Sequence, residues 1–460
     1  SRNVAGLATC SRLFDWALHT IDDFRFLRQI EAFYKKNALF AQREACRVEA
    51  EKSFLDSEAN CRSTNSRLRD MVGNYRLIDD KYLHHIHKMK RYISNVLGDY
   101  ESFQNGLPSL VRVTPGATST SKRVESLPQL KLRMRIFATR RSTKYLEKVY
   151  QEFGFAKPRI KVTHTNRIEL VPKNWKTDRT IACEPEGNLP LQLAFDGYAK
   201  RRLRRFGIDL TDQSANQRAA RHASIHDDYV TVDFKSASDT ISYNTIALLF
   251  PEDWFAFLTD VRSPGFRGVF GDGVYAKFSS MGNGTTFTLE TLVFAAACFA
   301  LTSCRDFLVY GDDVIIHKRF YDDFRELTRF LGFTVNEEKS FASGPFRESC
   351  GGDFFNGVDV TPVFIRNINL QKASLCHLVN TCRCLCLPGG RLEELLRLLI
   401  ADEHLHRIPF NEDTMSGVWI NPTVARRKKL VRRKCGIDKC KAYVAKQQAR
   451  VFVDSRGYYL

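Results

Sequence analysis

Residues 307–317 read FLVYGDDVIIH, two β-prone runs divided by Gly311, Asp312 and Asp313. Phe, Val, Ile and Tyr favour strands and Gly-Asp is turn chemistry, so the stretch predicts a hairpin that displays two adjacent acids at its tip. Taken alone it is ordinary, because Gly and Asp are what most turns use. Its weight comes from a second acidic strand end, YVTVDFKSASD at 229–239, where Asp233 closes an apolar strand and Asp239 follows. With the two β elements side by side, Asp233, Asp312 and Asp313 converge. Three carboxylates on rigid strands supply oxygen ligands for two Mg2+ ions about 3.5–4 Å apart, with Mn2+ as an alternative, the arrangement that serves in-line phosphoryl displacement. Nucleotidyl transfer is the reaction indicated.

Between these acids lies SSMGNG at 279–284, followed by an apolar helix over 285–301. Gly282 and Gly284 around Asn283 make a flexible loop feeding a helix N-terminus, where backbone N–H groups can meet a phosphate. A plain loop and cap explains the same residues. There is no Walker A pattern, so this is not a P-loop.

Farther out, β-rich runs at 229–234, 306–310 and 314–317 alternate with helical stretches such as 321–331, an α+β pattern. Residues 11–105 predict several helices, broken at Gly73 and Gly98, with no visible chemistry. His84, His85 and His87 sit in a basic segment, 81–91, that reads as solvated or RNA-facing rather than metal-binding. TPGATSTSKRVES at 114–126 is the best linker or mobile loop. FFNGVDV at 354–360 predicts a hairpin, since Asn356-Gly357 favours a type I′ turn. Residues 392–405 are apolar at helical spacing and precede a basic run at 426–434.

Composition bounds the function. The 460 residues carry 70 Lys and Arg against 52 Asp and Glu, a net charge of +18 that favours a polyanion, nucleic acid first. No stretch approaches the ~20 apolar residues that span a bilayer; 291–304 is the nearest and reads as a buried helix. Asp15, Asp22 and Asp23 interrupt the region where an export signal would need an apolar run, so none is expected. Thirteen cysteines, an odd number, read as reduced thiols. The tightest group, Cys376-His377 with Cys382, Cys384 and Cys386, has no standard zinc spacing and reads as buried thiols.

Taken in order, VPKNWKTDR (171–179), GIDLTDQSANQR (207–218), VDFKSASDTIS (232–242), MGNGTTFTLETLVF (281–294), YGDD (310–313), NEEKSF (336–341) and FRESCGGDFFNGVDVTP (346–362) closely resemble the replicase β subunits of single-stranded RNA bacteriophages, the levivirus type that includes Q-beta. The resemblance implies a right-hand polymerase fold of fingers, palm and thumb with an antiparallel palm sheet and helical N- and C-terminal parts. The implied parts are an N-terminal helical region of the fingers (1–126), basic fingers (127–228), a palm (229–368, with a fingers insertion about 250–280) and a helical thumb with a basic C-terminal region (369–460), the thumb shorter than in the family. It implies RNA-directed RNA polymerase activity on a phage genome, with pyrophosphate released. Asp233 matches the first palm aspartate, and Asp312 and Asp313 the hairpin pair. Asp239 and Asn283 match positions that sense the 2′-hydroxyl of the incoming sugar, and Gly282 is a further nucleotide-binding candidate. Lys173, Lys176 and Arg179 match the basic motif that neutralises the triphosphate. Lys339 matches a lysine able to protonate departing pyrophosphate.

Arg201, Arg202, Arg204 and Arg205, in the basic run at 200–205, are candidates for template or product phosphates. Implied partners are template and product RNA, ribonucleoside triphosphates, the host elongation factors Tu and Ts and a ribosomal protein, with no membrane, in the cytoplasm of an infected bacterium. Two other classes compete: a reverse transcriptase, against which Asp239 and Asn283 argue, and a non-catalytic RNA-binding protein on a polymerase-like fold, against which the intact acids argue.

Overall fold

The structure, a computed structural model, describes residues 20–36, 41–121, 131, 136–154, 159–303, 306–364, 372–383, 389–399, 404–410, 412–427, 429, 431–434 and 437–442. The chain divides into a larger unit, Ala41–Thr361, and a smaller one made of Ser1–Phe40 and Pro362–Leu460.

In chain order, the elements of the larger unit that position the site begin with two long helices, α1 (Arg43–Leu68) and α2 (Asp80–Leu97). A hairpin of β1 (Thr165–Pro172) and β2 (Asp178–Cys183) precedes α3 (Asn188–Arg205) and α4 (Ser214–His226). Then come β3 (Tyr229–Val232), the single turn α5 (Ala237–Thr240), β4 (Gly265–Gly268), β5 (Gly273–Val274) and α6 (Thr286–Thr302). The hairpin of β6 (Phe307–Tyr310) and β7 (Asp313–His317) leads into α7 (Tyr321–Phe330) and then β8 (Phe346–Ser349), β9 (Gly352–Phe355) and β10 (Val358–Asp359). Mixed helix and sheet makes the fold α+β, as the sequence pattern indicates.

The strands named above form three small sheets. β3, β7 and β6 make an antiparallel sheet with β7 in the middle; β2-β1-β4-β5 and β8-β9-β10 make the other two. In the first, Tyr229 faces His317 and Val232 faces Val314. The apolar runs are nearly continuous because both faces are covered. Val230, Val232, Val309, Val314 and Ile316 join the core that contains α6, while Ile315 packs with Ala220 of α4 and Phe354 of β9.

Helix α6 has no polar face, and a helix apolar all round is stable only when surrounded. Phe294 is fully buried and stacks on Phe234 at 4.2 Å between ring centroids. Full burial of such a side chain contributes about 1.5–3 kcal/mol. α2 packs along α6. There His85 Nδ1 lies 3.4 Å from the Ala300 carbonyl and Lys88 reaches Ser303 Oγ at 2.9 Å, so part of the basic segment 81–91 faces protein rather than solvent.

Two further stretches differ from expectation in an instructive way. The strand expected over 229–234 leaves the ladder after Val232, because the Asp233 N–H turns to Ser340 Oγ at 3.1 Å. The described part of the expected linker, 114–121, is pinned down: Thr118, Ser119 and Ser121 are buried, the Ser119 N–H donates to Glu184 O at 2.9 Å, and Thr118 and Thr120 donate to Glu186. Residues 122–126 lie outside the described residues.

The smaller unit opens with a helix, Ile21–Lys35, capped by Thr20 and Asp23 in a reciprocal box. Its Gln29 bonds both backbone groups of Val363, at 2.8 and 3.0 Å. Cys376 and Cys382 are buried with Val379, Leu396, Leu405 and Val418, which makes them core thiols; Cys384, Cys386 and Cys435 lie outside the described residues. The helix expected over 392–405 is described as Arg391–Leu399, and the basic run 426–434 is described in part, as the end of a helix (Pro422–Arg427) and a strand (Val431–Lys434). Among the described residues no helix is long and apolar enough to cross a membrane.

Candidate active site

The β6–β7 hairpin closes with Tyr310 paired to Asp313, leaving a two-residue loop, Gly311-Asp312. Gly311 has φ +64° while Asp312 stays at negative φ, as in a type II′ turn with Gly at its first central position. The loop is seated on α6: the Gly311 N–H donates to Thr291 Oγ1 at 3.1 Å, and a Cβ on Gly311 would collide with the Phe287 ring. Asp312 therefore sits in the turn and Asp313 begins β7.

Carrying the β3–β7 register one residue past Val232–Val314 sets Asp233 across from Asp313. Asp233 Oδ2 accepts from Asn336 Nδ2 at 3.0 Å and lies 3.6 Å from Lys339 Nζ. Burial raises its carboxyl above the usual range, with Lys339 opposing and Asp312 adding to the rise. Asp313 Oδ1 accepts from the Cys350 N–H at 3.2 Å. Its carboxyl is pushed up to about 7, first by burial and then, against that N–H, by Asp312, Asp233 and Glu348. Lys339 is held above the ordinary lysine value: burial works against its charge, but Asp233 and Glu348 outweigh it.

The basic motif comes to the same place from the β1–β2 hairpin. Its five-residue loop, 173–177, is stiffened by Asn174, whose Oδ1 accepts from the backbones of Lys176 and Thr177, both at 2.9 Å. Lys173 keeps an exposed surface, yet the protein packed around it partly desolvates its ammonium and so depresses it; Lys339 and Arg179 depress it further, and Asp233 and Asp312 pull the other way. Lys173 thus shares the electrostatic neighbourhood of Asp233 and Asp312, with Arg179 acting on it from the same hairpin. Lys173, Lys176 and Arg179 are all exposed, and the Lys176 ammonium lies 5.0 Å from the Trp175 ring centre.

The loop before α6 is sewn to β2 by the Ala182 N–H, which donates to Met281 O at 2.8 Å. Gly282 has φ +106°, and a Cβ there would drive into the Ala182 carbonyl, so only glycine fits. Asn283 is buried, and its Oδ1 accepts from the Thr285 N–H and Oγ1 at 2.9 and 2.8 Å. Asp239, on α5, accepts from the fully buried Lys277 at 2.8 Å.

Among the described residues no three His, Cys, Asp or Glu side chains are close enough together to form a ready metal site. The acids perturb one another's protonation without forming a closed cage. Their chemistry still suits a hard divalent cation: anionic oxygen donors, partly buried, two of them with proton affinity raised by burial first and by crowded negative charge second.

The family model for RNA replicase, beta-chain, matches residues 17–387. The chain belongs to this replicase family. It is 38% identical over 374 residues to the RNA-directed RNA polymerase subunit beta of Escherichia virus Qbeta, covering 78% of this chain and 62% of that one. A 40% match over 323 residues to the same subunit of Enterobacteria phage SP covers 68% and 56%, and a 37% match over 230 residues to the beta chain of Escherichia phage MS2 covers 49% and 42%. The chain therefore spans about three-fifths of the Qbeta relative's length.

Sequence reading of this replicase chain missed three acids and a lysine around the site. Glu348 of β8 raises the proton affinity of Asp233 and Asp313. Glu290 of α6 is buried, its Oε1 has no hydrogen-bond partner among the described residues, and burial and then Asp312 hold its carboxyl well above the carboxylate range. Glu58 of α1 and Lys277 lie behind Asp239. Only a charged residue inside an apolar helix, as with Glu290, signals such a role in sequence. The arginines of α3 divide: Arg201, Arg204 and Arg205 are exposed, Arg204 pairing with Asp209 at 3.1 Å. Arg202 is committed to the last carbonyls of α2, Val96 at 2.7 Å and Asn95 at 3.1 Å.

Proposed function

We propose that this chain is an RNA-directed RNA polymerase that replicates a single-stranded RNA phage genome, joining ribonucleotides by nucleotidyl transfer with release of pyrophosphate. The observation that carries the reading is the gathering of Asp233, Asp312 and Asp313 with Lys339 and Lys173, drawn from four separate segments: the end of β3, the β6–β7 hairpin, the loop after α7 and the β1–β2 loop. Membership of the replicase family supports it. In a right-hand arrangement the β3–β7–β6 sheet is the heart of the palm (229–368), residues 1–126, 127–228 and about 250–280 belong to the fingers, and 369–460 to the thumb.

Asp233, Asp312 and Asp313 are the residues that would hold two Mg2+ ions, or Mn2+. When bound, such ions lower the pKa of a 3′-hydroxyl and neutralise the triphosphate. The chain's own groups do the rest. Lys173 and Arg179, with Lys176 farther out on the same loop, offset the triphosphate charge; Arg binds phosphate oxygens in pairs. Lys339 is protonated at neutral pH and can give its proton to the departing pyrophosphate oxygen. Asp239 and Asn283 flank the sugar with hydrogen-bonding groups, and Gly282, packed on the Ala182 backbone of β2, holds the nucleotide-binding loop in place. Template and product RNA would follow basic surface that includes Arg201, Arg204 and Arg205. The relatives are named as beta subunits, so assembly with further subunits, the host factors Tu, Ts and a ribosomal protein among them, and work in the cytoplasm of an infected bacterium belong to the same proposal.

The deciding experiment is template-dependent incorporation of ribonucleotides by the purified replicase with Mg2+. Asp312→Asn is expected to abolish synthesis and leave RNA affinity within about twofold, since one half-buried turn carboxylate contributes little to phosphate contacts. Undiminished synthesis by that variant would sink the mechanism.

A further inference from the structure

Lys277 is a lysine with no access to solvent. Its Nζ donates to Asp239 Oδ1 at 2.8 Å and lies 3.7 Å from Glu58 Oε1, and the side chains of Lys277, Glu58 and Asp239 are 0%, 3% and 20% exposed. The Phe54 ring lies 4.3 Å from the ammonium and Tyr275 5.1 Å. The backbone is fixed as well: Lys277 bridges to Ser242, its carbonyl accepts from Arg262 at 2.8 Å, and the adjacent Ala276 N–H donates to Glu58 Oε2 at 2.7 Å. An ammonium walled in this way cannot swing out to a phosphate. It is shared by two carboxylates, and only the Asp239 side reaches solvent.

Burying an ammonium is costly unless it is paired, and breaking such a pair leaves an uncompensated charge. A buried lysine on a partly exposed aspartate therefore has a consequence outside the core. It takes up one carboxylate oxygen and fixes the plane of the group, so that the second oxygen is offered to a hydrogen-bond donor. We propose that Lys277 is a positioning residue for ribonucleotide selection, aiming Asp239 at the sugar 2′-hydroxyl from behind. The inference rests on the polymerase reading above and on Asp239 facing the sugar. A site built to bond a hydroxyl rejects the analogue that lacks it far more strongly than an apolar pocket does, so loosening the acceptor should cost discrimination before it costs chemistry.

The test measures kcat/KM for ATP and dATP on one template, using the purified replicase with its co-purifying subunits, for wild type, Lys277→Met, Lys277→Gln, Lys277→Arg and Asp239→Ala. The expected result is a ribo-to-deoxy ratio at least about tenfold lower in whichever of the Met and Gln variants folds, arising from a higher KM for ATP with the dATP constants unchanged. Lys277→Arg, which keeps the charge, should hold the ratio within about threefold of wild type. Equal losses for ATP and dATP would show a merely structural lysine and overturn the inference. A ratio that collapses in Asp239→Ala but is intact without the ammonium overturns it while leaving the sugar-sensing reading in place; a ratio unchanged in Asp239→Ala sinks both. If only the arginine variant folds, a near-wild-type ratio supports the inference and one as low as Asp239→Ala overturns it.

Discussion

Asp313 shows how one carboxyl can report on the whole site. Its folded pKa of about 7 lies above the ordinary aspartate value of 3.8, with burial as the first cause and crowding by Asp312 and Asp233 contributing. The folded state therefore binds more protons than the unfolded chain between those two values, and stability must fall as pH rises through that window. Asp233, whose carboxyl is raised as well, crowds the same site, so the midpoint belongs to the pair rather than to Asp313 alone. In chelator, the melting temperature is expected to drop between pH 5 and pH 8 more than in Asp313→Asn, which removes the titrating group. Mg2+ should restore more at pH 8 than at pH 5, because a cation competes with the proton for the same oxygens. Scanning fluorimetry across pH with and without Mg2+ checks this, and a melting temperature that rises toward pH 8 in chelator would contradict it.

At the scale of elements, hairpins were the most legible part of the sequence. Asn356-Gly357 predicts a type I′ turn, and both residues do adopt positive φ, at 45° and 76°, between paired Phe355 and Val358. The Gly-Asp-Asp stretch predicts a hairpin and forms one, although the ladder claims Asp313 and leaves one acid in the loop. Local turn chemistry is written in adjacent residues. What stayed illegible needs distant segments to meet: Glu58 is 219 positions from Lys277 and reaches it because α1 packs against α5 and the loop before α6. Nothing in the amphipathic pattern of residues 11–105 marks that one glutamate. Gly311 and Gly73 both have positive φ, but a Cβ at Gly73 meets nothing within 4 Å whereas one at Gly311 strikes Phe287. Gly73→Ala should cost about 1 kcal/mol, the strain of a left-handed alanine. Gly311→Ala should cost about 1–3 kcal/mol more from the clash and slow nucleotide incorporation by moving Asp312. Denaturant titrations of the two variants separate strain from collision, and equal losses would show that Phe287 yields freely.

For the whole molecule, the net charge of +18 makes RNA affinity a salt-dependent quantity, but charge alone does not say which cations do the binding. The arginines of α3 allow the two roles to be told apart within one helix. Arg201, Arg204 and Arg205 are exposed, and each that meets a single-stranded phosphate adds about 0.7 to the slope of log affinity against log salt. Replacing all three with alanine should lower that slope by up to about 2 and weaken binding equally for unrelated sequences, because phosphate contacts carry no base information. Arg202 is different in kind. Its guanidinium holds the Val96 and Asn95 carbonyls that α2 leaves without partners at its C-terminal end, beside Gly98 at φ +70°. Arg202→Ala should therefore lower stability by about 1–3 kcal/mol while leaving the slope unchanged. Filter binding at several salt concentrations, paired with thermal melts, distinguishes them. A triple variant with the wild-type slope would remove α3 from the RNA path, and an Arg202 variant that flattens the slope without a change in melting temperature would place that residue on the RNA instead of on α2.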